Sequence, residues 1–170
     1  MEKAGLYIHI PFCKSKCPYC DFYSGKYSRE AAENYASELI DEFCKYGGAE
    51  FDTVYFGGGT PSILEPRLIA KILQAARKSF KIADNSEITI ECNPSKDLKE
   101  DIEIYAASGI NRISLGMQSA VKAERQALGR IAGKEEIVRT LDYARQCGIT
   151  TKSRDLMLGV QNQTPESLDE

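Results

Sequence analysis

Cys13, Cys17 and Cys20 fall within eight residues, inside the stretch YIHIPFCKSKCPYCDFYS at positions 7 to 24. Thiolates are soft ligands, and a C-x3-C-x2-C loop is short enough to wrap three corners of a [4Fe–4S] cube. One iron would then stay open, free to chelate a small molecule through an amine and a carboxylate. The same thiols with His9 could instead complete a Cys3His zinc tetrahedron. Against that, His9 lies in a strand-like run two residues before Pro11, and structural zinc sites more often use two separated ligand pairs. Cys44 and Cys147, in helical patterns, and Cys92, at a strand end, read as small buried or idle residues.

FGGGTPS, at 56 to 62, is a second chemical signal. Three glycines at the end of a buried strand leave main-chain groups bare, so a ligand can approach the backbone closely. No Gly-Lys-Ser/Thr follows, which excludes a Walker loop, and the spacing is not that of a dinucleotide fingerprint. Other polar residues follow strand-like runs: Glu91 to Pro94 after ITI, Gly116 to Ser119 after ISL, and Asp155 to Gly159 on or after a fifth run. In barrels and open parallel sheets the chemistry gathers at the carboxyl ends of the strands. All these motifs therefore belong on one rim.

The elements that must position them alternate. GLYIHI, DTVYFGG, EITIEC and RISLGM read as strands, and DLMLG as a weaker fifth. Between them, residues 30 to 46 space Tyr35, Leu39 and Phe43 at helical intervals, with Glu30 and Glu33 near the start and Gly47-Gly48 as the stop. Pro66 can open the next helix, whose apolar face is Leu68, Ile69, Ile72, Leu73, Ala76 and Phe80. A shorter helix is expected around 98 to 107, ended by Gly109, and a short one near 121 to 128. KEEIVRTLDYARQCG places Ile137, Val138, Leu141 and Ala144 on one stripe before Gly148. Strand and helix repeated this way predict a parallel α/β fold.

Composition limits the alternatives. At 170 residues, 42% hydrophobic and 28% charged, the chain suits one domain with a real core. A net charge of −3 without basic runs argues against nucleic acid as a partner, and no apolar run is long enough to predict a transmembrane segment. MEKAGLYIHIPFC is too short a hydrophobic stretch for a signal peptide and reads as an opening strand. The cytoplasm is the expected compartment, where six cysteines suggest metal or redox chemistry in preference to disulfides.

QNQTPESLDE resembles a helix start, with Thr164 as N-cap, Pro165 at the first helical position and Glu166 in the first turn, but the sequence stops before a helix is expected to form. The expectation is a single domain over residues 1–170, a parallel-stranded partial (β/α) barrel cut after about the fifth strand, with the remaining barrel and a carboxyl-terminal domain absent. A short flavodoxin-like domain is the alternative.

Together, in this order, YIHIPFCKSKCPYCDF, VYFGGGTPS, ITIECNP, ISLGMQS, ALGRI and DLMLG resemble the radical S-adenosylmethionine (SAM) superfamily, over almost the whole chain. More closely they are similar to its coproporphyrinogen-dehydrogenase-like branch. The resemblance implies that Cys13, Cys17 and Cys20 hold a [4Fe–4S] cluster whose open iron is chelated by SAM. It further implies cofactor contacts at Gly58, Gly59 and Thr60 for the methionyl amine, and at Glu91, Gln118, Arg130 and Asp155. Arg130 would suit the carboxylate and Asp155 the ribose hydroxyls, with Tyr7 and Tyr19 as aromatic neighbours. The chemistry implied is reductive cleavage of the cofactor to a 5′-deoxyadenosyl radical that abstracts hydrogen. A one-electron reductant and a low-oxygen setting go with it.

Branch members that decarboxylate coproporphyrinogen III resemble CxxxCxxCxC, whereas Phe22 stands at the last cysteine here. That favours the haem-chaperone type, which implies haem or porphyrin as a partner and a haem-accepting respiratory protein. An oxygen-independent coproporphyrinogen III oxidase, or a zinc- or iron-binding module without radical chemistry, are the alternatives. Three departures stand out. Ala132 replaces a histidine that would be a candidate haem ligand, Gln161 replaces the proline of a rigid turn, and Lys152 and Arg154 make the fifth strand more polar than its relatives. His9 is the only histidine in the chain. The 170 residues are expected to hold the cluster and cofactor contacts but not to turn over alone.

Overall fold

Apolar residues recur at every second position of the central strands, and these are the buried ones. The structure, a computed structural model, describes residues 4–94, 98–130 and 132–169. Met1 to Lys3 of the expected opening segment, Ile131 of ALGRI, and Glu170 lie outside the described residues. The chain begins with strand β1 (Gly5–Ile10), a short β2 (Phe12–Cys13) and β3 (Gly25–Lys26), then helix α1 (Arg29–Phe43), β4 (Glu50–Gly58), α2 (Pro66–Ser79) and β5 (Lys81–Cys92). It continues through α3 (Leu98–Ser108), β6 (Arg112–Gln118), α4 (Lys122–Ala127), α5 (Lys134–Gln146), β7 (Thr151–Leu156) and a single turn, α6 (Pro165–Leu168).

Five strands form one parallel sheet in the order β1-β4-β5-β6-β7. Each strand lies beside the one before it, so the order never reverses. A flavodoxin-like sheet must reverse at its switch point, and the observed order is that of a partial (β/α) barrel. On one face Ile8, Ile10, Val54, Phe56, Ile88, Ile90, Ile113 and Leu115 are almost completely buried. They share a core with Ile69, Ile72 and Leu73 of α2, Ile102 and Tyr105 of α3, and Ile137 and Leu141 of α5. At the end remote from the cysteines Phe80 meets Phe43 and Phe51 edge-on, each at 5.3 Å between ring centroids, a geometry that aligns ring edges with the opposing π face.

Local chemistry sets the helix ends. Ser28 caps α1 by accepting from the Ala31 N–H at 3.2 Å. Pro66 opens α2, where its missing N–H costs nothing. Beside Gln161, Asn162 adopts a left-handed φ of 65° and the Gln163 N–H closes the turn on the Val160 carbonyl at 3.0 Å. Asparagine tolerates that backbone better than most residues.

Two expectations are corrected. The fifth strand runs over TKSRDL, so DLMLG belongs mainly to the turn that follows it. In β7 Lys152 and Arg154 pair with Ile113 and Leu115 on the helix side, and both retain solvent access. Residues 165–168 do form one helical turn, held by a reciprocal pair between Thr164 and Ser167. No expectation covered β2 and β3, a two-residue ladder without periodicity to announce it. Among the described residues no helix is long and apolar enough to cross a membrane.

Phe56 is fully buried on β4, between β1 and β5. Phe56→Ala is expected to destabilise the chain by about 3–5 kcal/mol, read as a shifted urea midpoint, whereas Tyr46→Ala, at an exposed site, is expected to change it by less than about 0.5 kcal/mol.

Candidate cluster and cofactor site

The loop that carries the thiols is clamped at its base. Pro11 ends β1, and Phe12 then buries its ring edge-on against Tyr27 and Tyr35. The Gly25 N–H donates to the Pro11 carbonyl at 2.8 Å and the Tyr27 N–H to the Cys13 carbonyl at 3.0 Å. Within the loop the Cys20 N–H closes a turn on the Cys17 carbonyl at 3.0 Å. Cys13, Cys17 and Cys20 are free thiols, each half-buried. His9 points elsewhere: its Nε2 lies 3.1 Å from the Tyr23 carbonyl and its Nδ1 3.3 Å from the Tyr7 hydroxyl. That arrangement suits a proton on Nε2 with Nδ1 accepting from Tyr7, and it engages both ring nitrogens.

Among the described residues no three His, Cys, Asp or Glu side chains converge on a single ion. A cube does not need them to, because each thiolate binds a different iron. Three accessible soft donors on one clamped loop, with the nearest imidazole already engaged, fit a polynuclear iron–sulfur centre better than a Cys3His zinc site.

Gly58 and Gly59 bring the end of β4 against this loop. Gly58 has φ 117°, a backbone that favours glycine. A Cβ on Gly59 would stand 2.5 Å from the Phe12 carbonyl oxygen and 3.0 Å from Cys13 Sγ. The Gly59 and Thr60 N–H groups donate to the Ile10 and Phe12 carbonyls at 2.9 and 2.8 Å. Those two N–H groups are therefore not bare, and here the expectation is corrected: the glycines first admit the protein's own cysteine strand. Thr60 Oγ1 reaches Cys13 Sγ at 3.6 Å.

The sheet face away from the helices carries two neighbouring groups of bonded polar side chains. Tyr7 stacks on Tyr55 at 5.9 Å and 20°, and the Tyr55 hydroxyl donates to Glu91 Oε1 at 2.7 Å. Asp155 accepts from Ser114 at 2.8 Å, Ser114 from Ser153 at 2.9 Å, and Arg112 bridges Ser153 and Glu87 at 3.3 and 3.0 Å. Burial pushes the Glu91 carboxyl above its ordinary range and the nearby charge of Asp155 adds to this, while hydrogen bonds from Tyr55 and the Gly58 N–H oppose it. Burial, then the bond to Glu91, also raises the Tyr55 phenol.

A second group gathers around Arg130. Its Nε donates to the Tyr19 hydroxyl at 3.0 Å and one Nη to Asn93 Oδ1 at 2.9 Å, with the guanidinium 5.9 Å from the Tyr19 ring centre. Burial raises the Tyr19 phenol, against the opposing effect of Arg130. A Cβ on Gly116 would meet Gln118 Nε2 at 3.0 Å and an Arg130 Nη at 3.3 Å. Gln118 has φ 69°, and its carbonyl accepts from the Met157 N–H at 2.8 Å. The expected site residues thus fall into three neighbouring sets on one rim: the thiols with Gly59 and Thr60, Tyr7 beside Glu91 and Asp155, and Tyr19 with Arg130 and Gln118. Sequence reading missed Tyr55, Ser114 and Ser153, and gave Asn93, inside its Glu91 to Pro94 motif, no role of its own. Alternation puts Tyr55 on the same side of β4 as Gly57, while its contact with Glu91 depends on the β4–β5 register.

This arrangement defines a parallel α/β protein with a thiol-rich loop at the carboxyl rim of its sheet. Residues 7–170 match the radical SAM superfamily, and the chain belongs to that superfamily. The heme chaperone HemW of Escherichia coli is 37% identical over 166 residues, covering 95% of this chain and 44% of that protein. The oxygen-independent coproporphyrinogen III oxidase of Escherichia coli is 31% identical over 167 residues, covering 95% of this chain and 36% of that protein. A solved structure of coproporphyrinogen III oxidase (HemN) from Escherichia coli, a radical SAM enzyme, superposes with a TM-score of 0.85 at 28% identity, over 99% of this chain and 40% of that one. The chain spans less than half the length of these relatives.

Two outcomes test the site's construction. Gly59→Ala is expected to cost about 1–3 kcal/mol and to loosen the cysteine strand, seen as faster hydrogen exchange at Gly59 and Thr60. For Glu91→Gln the sign follows from a raised folded pKa: the native chain carries a penalty above that pKa and none below the unfolded value. The variant is expected to be more stable than the unsubstituted chain at pH 8, with the difference vanishing near pH 4 in urea titrations.

Proposed function

We propose that the chain is the cluster- and cofactor-binding part of a radical SAM protein of the haem-chaperone type. In this reading Cys13, Cys17 and Cys20 hold a [4Fe–4S] cluster, and SAM lies along the rim against Tyr7, Tyr19, Gly58, Gly59, Thr60, Glu91, Gln118, Arg130 and Asp155. The observation that carries it is the clamped loop of three half-buried thiols, set beside the glycine end of β4 and apart from the engaged imidazole of His9.

Each residue has a task in this reading. Arg130, steadied by Tyr19 and Asn93, offers a guanidinium to a carboxylate. Glu91 and Asp155 offer acceptors to hydroxyl or ammonium donors, and each is held by a neutral hydroxyl that leaves its charge unpaired. Phe12, Tyr27 and Tyr35 pack the loop base against water. Bound cluster and cofactor supply one-electron reductive chemistry.

Haem or porphyrin is the proposed partner class, supported by relatives named for heme chaperoning and for coproporphyrinogen III oxidation. Phe22, where the decarboxylating type resembles a cysteine, favours the chaperone. Delivery to a respiratory protein, a one-electron reductant and a cytoplasmic setting complete the proposal. The oxidase is the second reading, favoured by the HemN superposition.

Anaerobic reconstitution is expected to yield roughly four irons and four sulfides per chain, lost in Cys17→Ala, with an electron-spin-resonance spectrum that SAM perturbs. Zinc at one per chain with no response to SAM would overturn the proposal. A Soret shift on titration with haem, without decarboxylation of coproporphyrinogen III, is the result expected of the chaperone reading.

A further inference from the structure

Glu91 and Asp155 are each held by a hydroxyl from the neighbouring strand. Asp155 leans on Ser114, which Ser153 supports in turn. Glu91 depends on a residue of a neighbouring strand: Tyr55 sits opposite Thr89 in the β4–β5 register and reaches along the strand to Oε1 at 2.7 Å. The phenol that does this is itself fixed. One ring face stacks on Tyr7, and at Gly57 a Cβ would come within 2.9 Å of the Tyr55 ring and 2.8 Å of the Tyr7 ring. Gly57 is therefore the gap that both rings fill.

We propose that Tyr55 is a positioning residue: its hydroxyl fixes the orientation of the Glu91 carboxylate so that the remaining acceptor positions face the SAM-binding rim. The inference rests on the reading that Glu91 contacts SAM. A carboxylate has about four acceptor positions, of which the Tyr55 hydroxyl and the Gly58 N–H take two. The groups that face Glu91 are Tyr7 and His9 from β1, Tyr55 from β4, and Asp155 from β7, with Arg112 of β6 turned to Glu87 and Ser153. Of these the phenol gives Glu91 its side-chain hydrogen bond, and it does so in favour of the charged form. Removing the hydroxyl while keeping the ring should leave the stack and disturb only the carboxylate.

Tyr55→Phe in the anaerobically reconstituted chain tests this by equilibrium dialysis of radiolabelled SAM between pH 6 and 9. The expected result is a roughly tenfold weaker affinity, as for loss of a hydrogen bond to a charged group, growing toward pH 6 because the carboxyl now protonates at higher pH. In a Glu91→Gln background the same substitution is expected to change affinity by less than about twofold, since coupled residues are non-additive. Independently of ligand, carbon-13 titration of the Glu91 carboxyl is expected to move upward in Tyr55→Phe. Unchanged affinity with an unmoved pH profile, or an equal loss in the Glu91→Gln background, would overturn the inference while leaving the SAM reading intact. No SAM binding by the unsubstituted protein at any pH would overturn both.

Discussion

The carboxyl rim depends on how closely the end of β4 can approach the strand that delivers the first cysteine. With a Cβ at residue 59 the two backbones would collide at 2.5 Å. Without it, two N–H groups of the glycine turn donate into the cysteine strand, and the thiol of Cys13 meets the hydroxyl of Thr60. The loop from Cys13 to Lys26 is then tied at both its entry and its exit, so the chain spends its ordering entropy at the base. Cys17 and Cys20 ride on what that base holds in place.

A parallel sheet is ordinarily apolar on both faces. In this protein one face is, and the other carries hydroxyls and carboxylates from all five strands. Its charged groups are satisfied mostly by neutral donors, with the bond from Arg112 to Glu87 at one end. Neutral donors stabilise a carboxylate without cancelling its charge, and the result is a surface that stays attractive to a donor-bearing ligand. The same device recurs farther along the rim. Glu124, almost fully buried, accepts from Ser119 at 2.7 Å and Ser167 at 2.6 Å with Gln163 nearby, and these bonds hold its carboxyl below the usual range. That carboxylate ties the turn after β6 to the segment after β7, next to the left-handed Gln118.

Much of this was legible beforehand. Four of the five strands and the main helices follow from periodicity, because burial against a helix layer imposes apolar residues at every second strand position. The strand-end motifs were legible as members of one rim because parallel strands put all their carboxyl ends on the same side. The register of β7 was harder to read, because Lys152 and Arg154 stand on its helix side opposite Ile113 and Leu115 and mask the alternation. Tyr55 went unnoticed for a related reason, since an aromatic residue in a strand is ordinarily core, and only its pairing opposite Thr89 turns its hydroxyl toward Glu91.

By itself the sequence determined the parallel α/β architecture, the single loop of three thiols and the order of the strand-end motifs, because these depend on periodicity and covalent spacing. Tertiary structure decided which of those residues touch. It turned the imidazole of His9 toward Tyr7 and Tyr23 and away from the thiols, filled the space above the glycines with the protein's own backbone, and joined carboxylates to hydroxyls from other strands. Contacts of this kind link residues from Tyr55 to Glu91 and from Tyr19 to Arg130 across long stretches of chain. They are fixed by strand register and close approach, which no local pattern encodes.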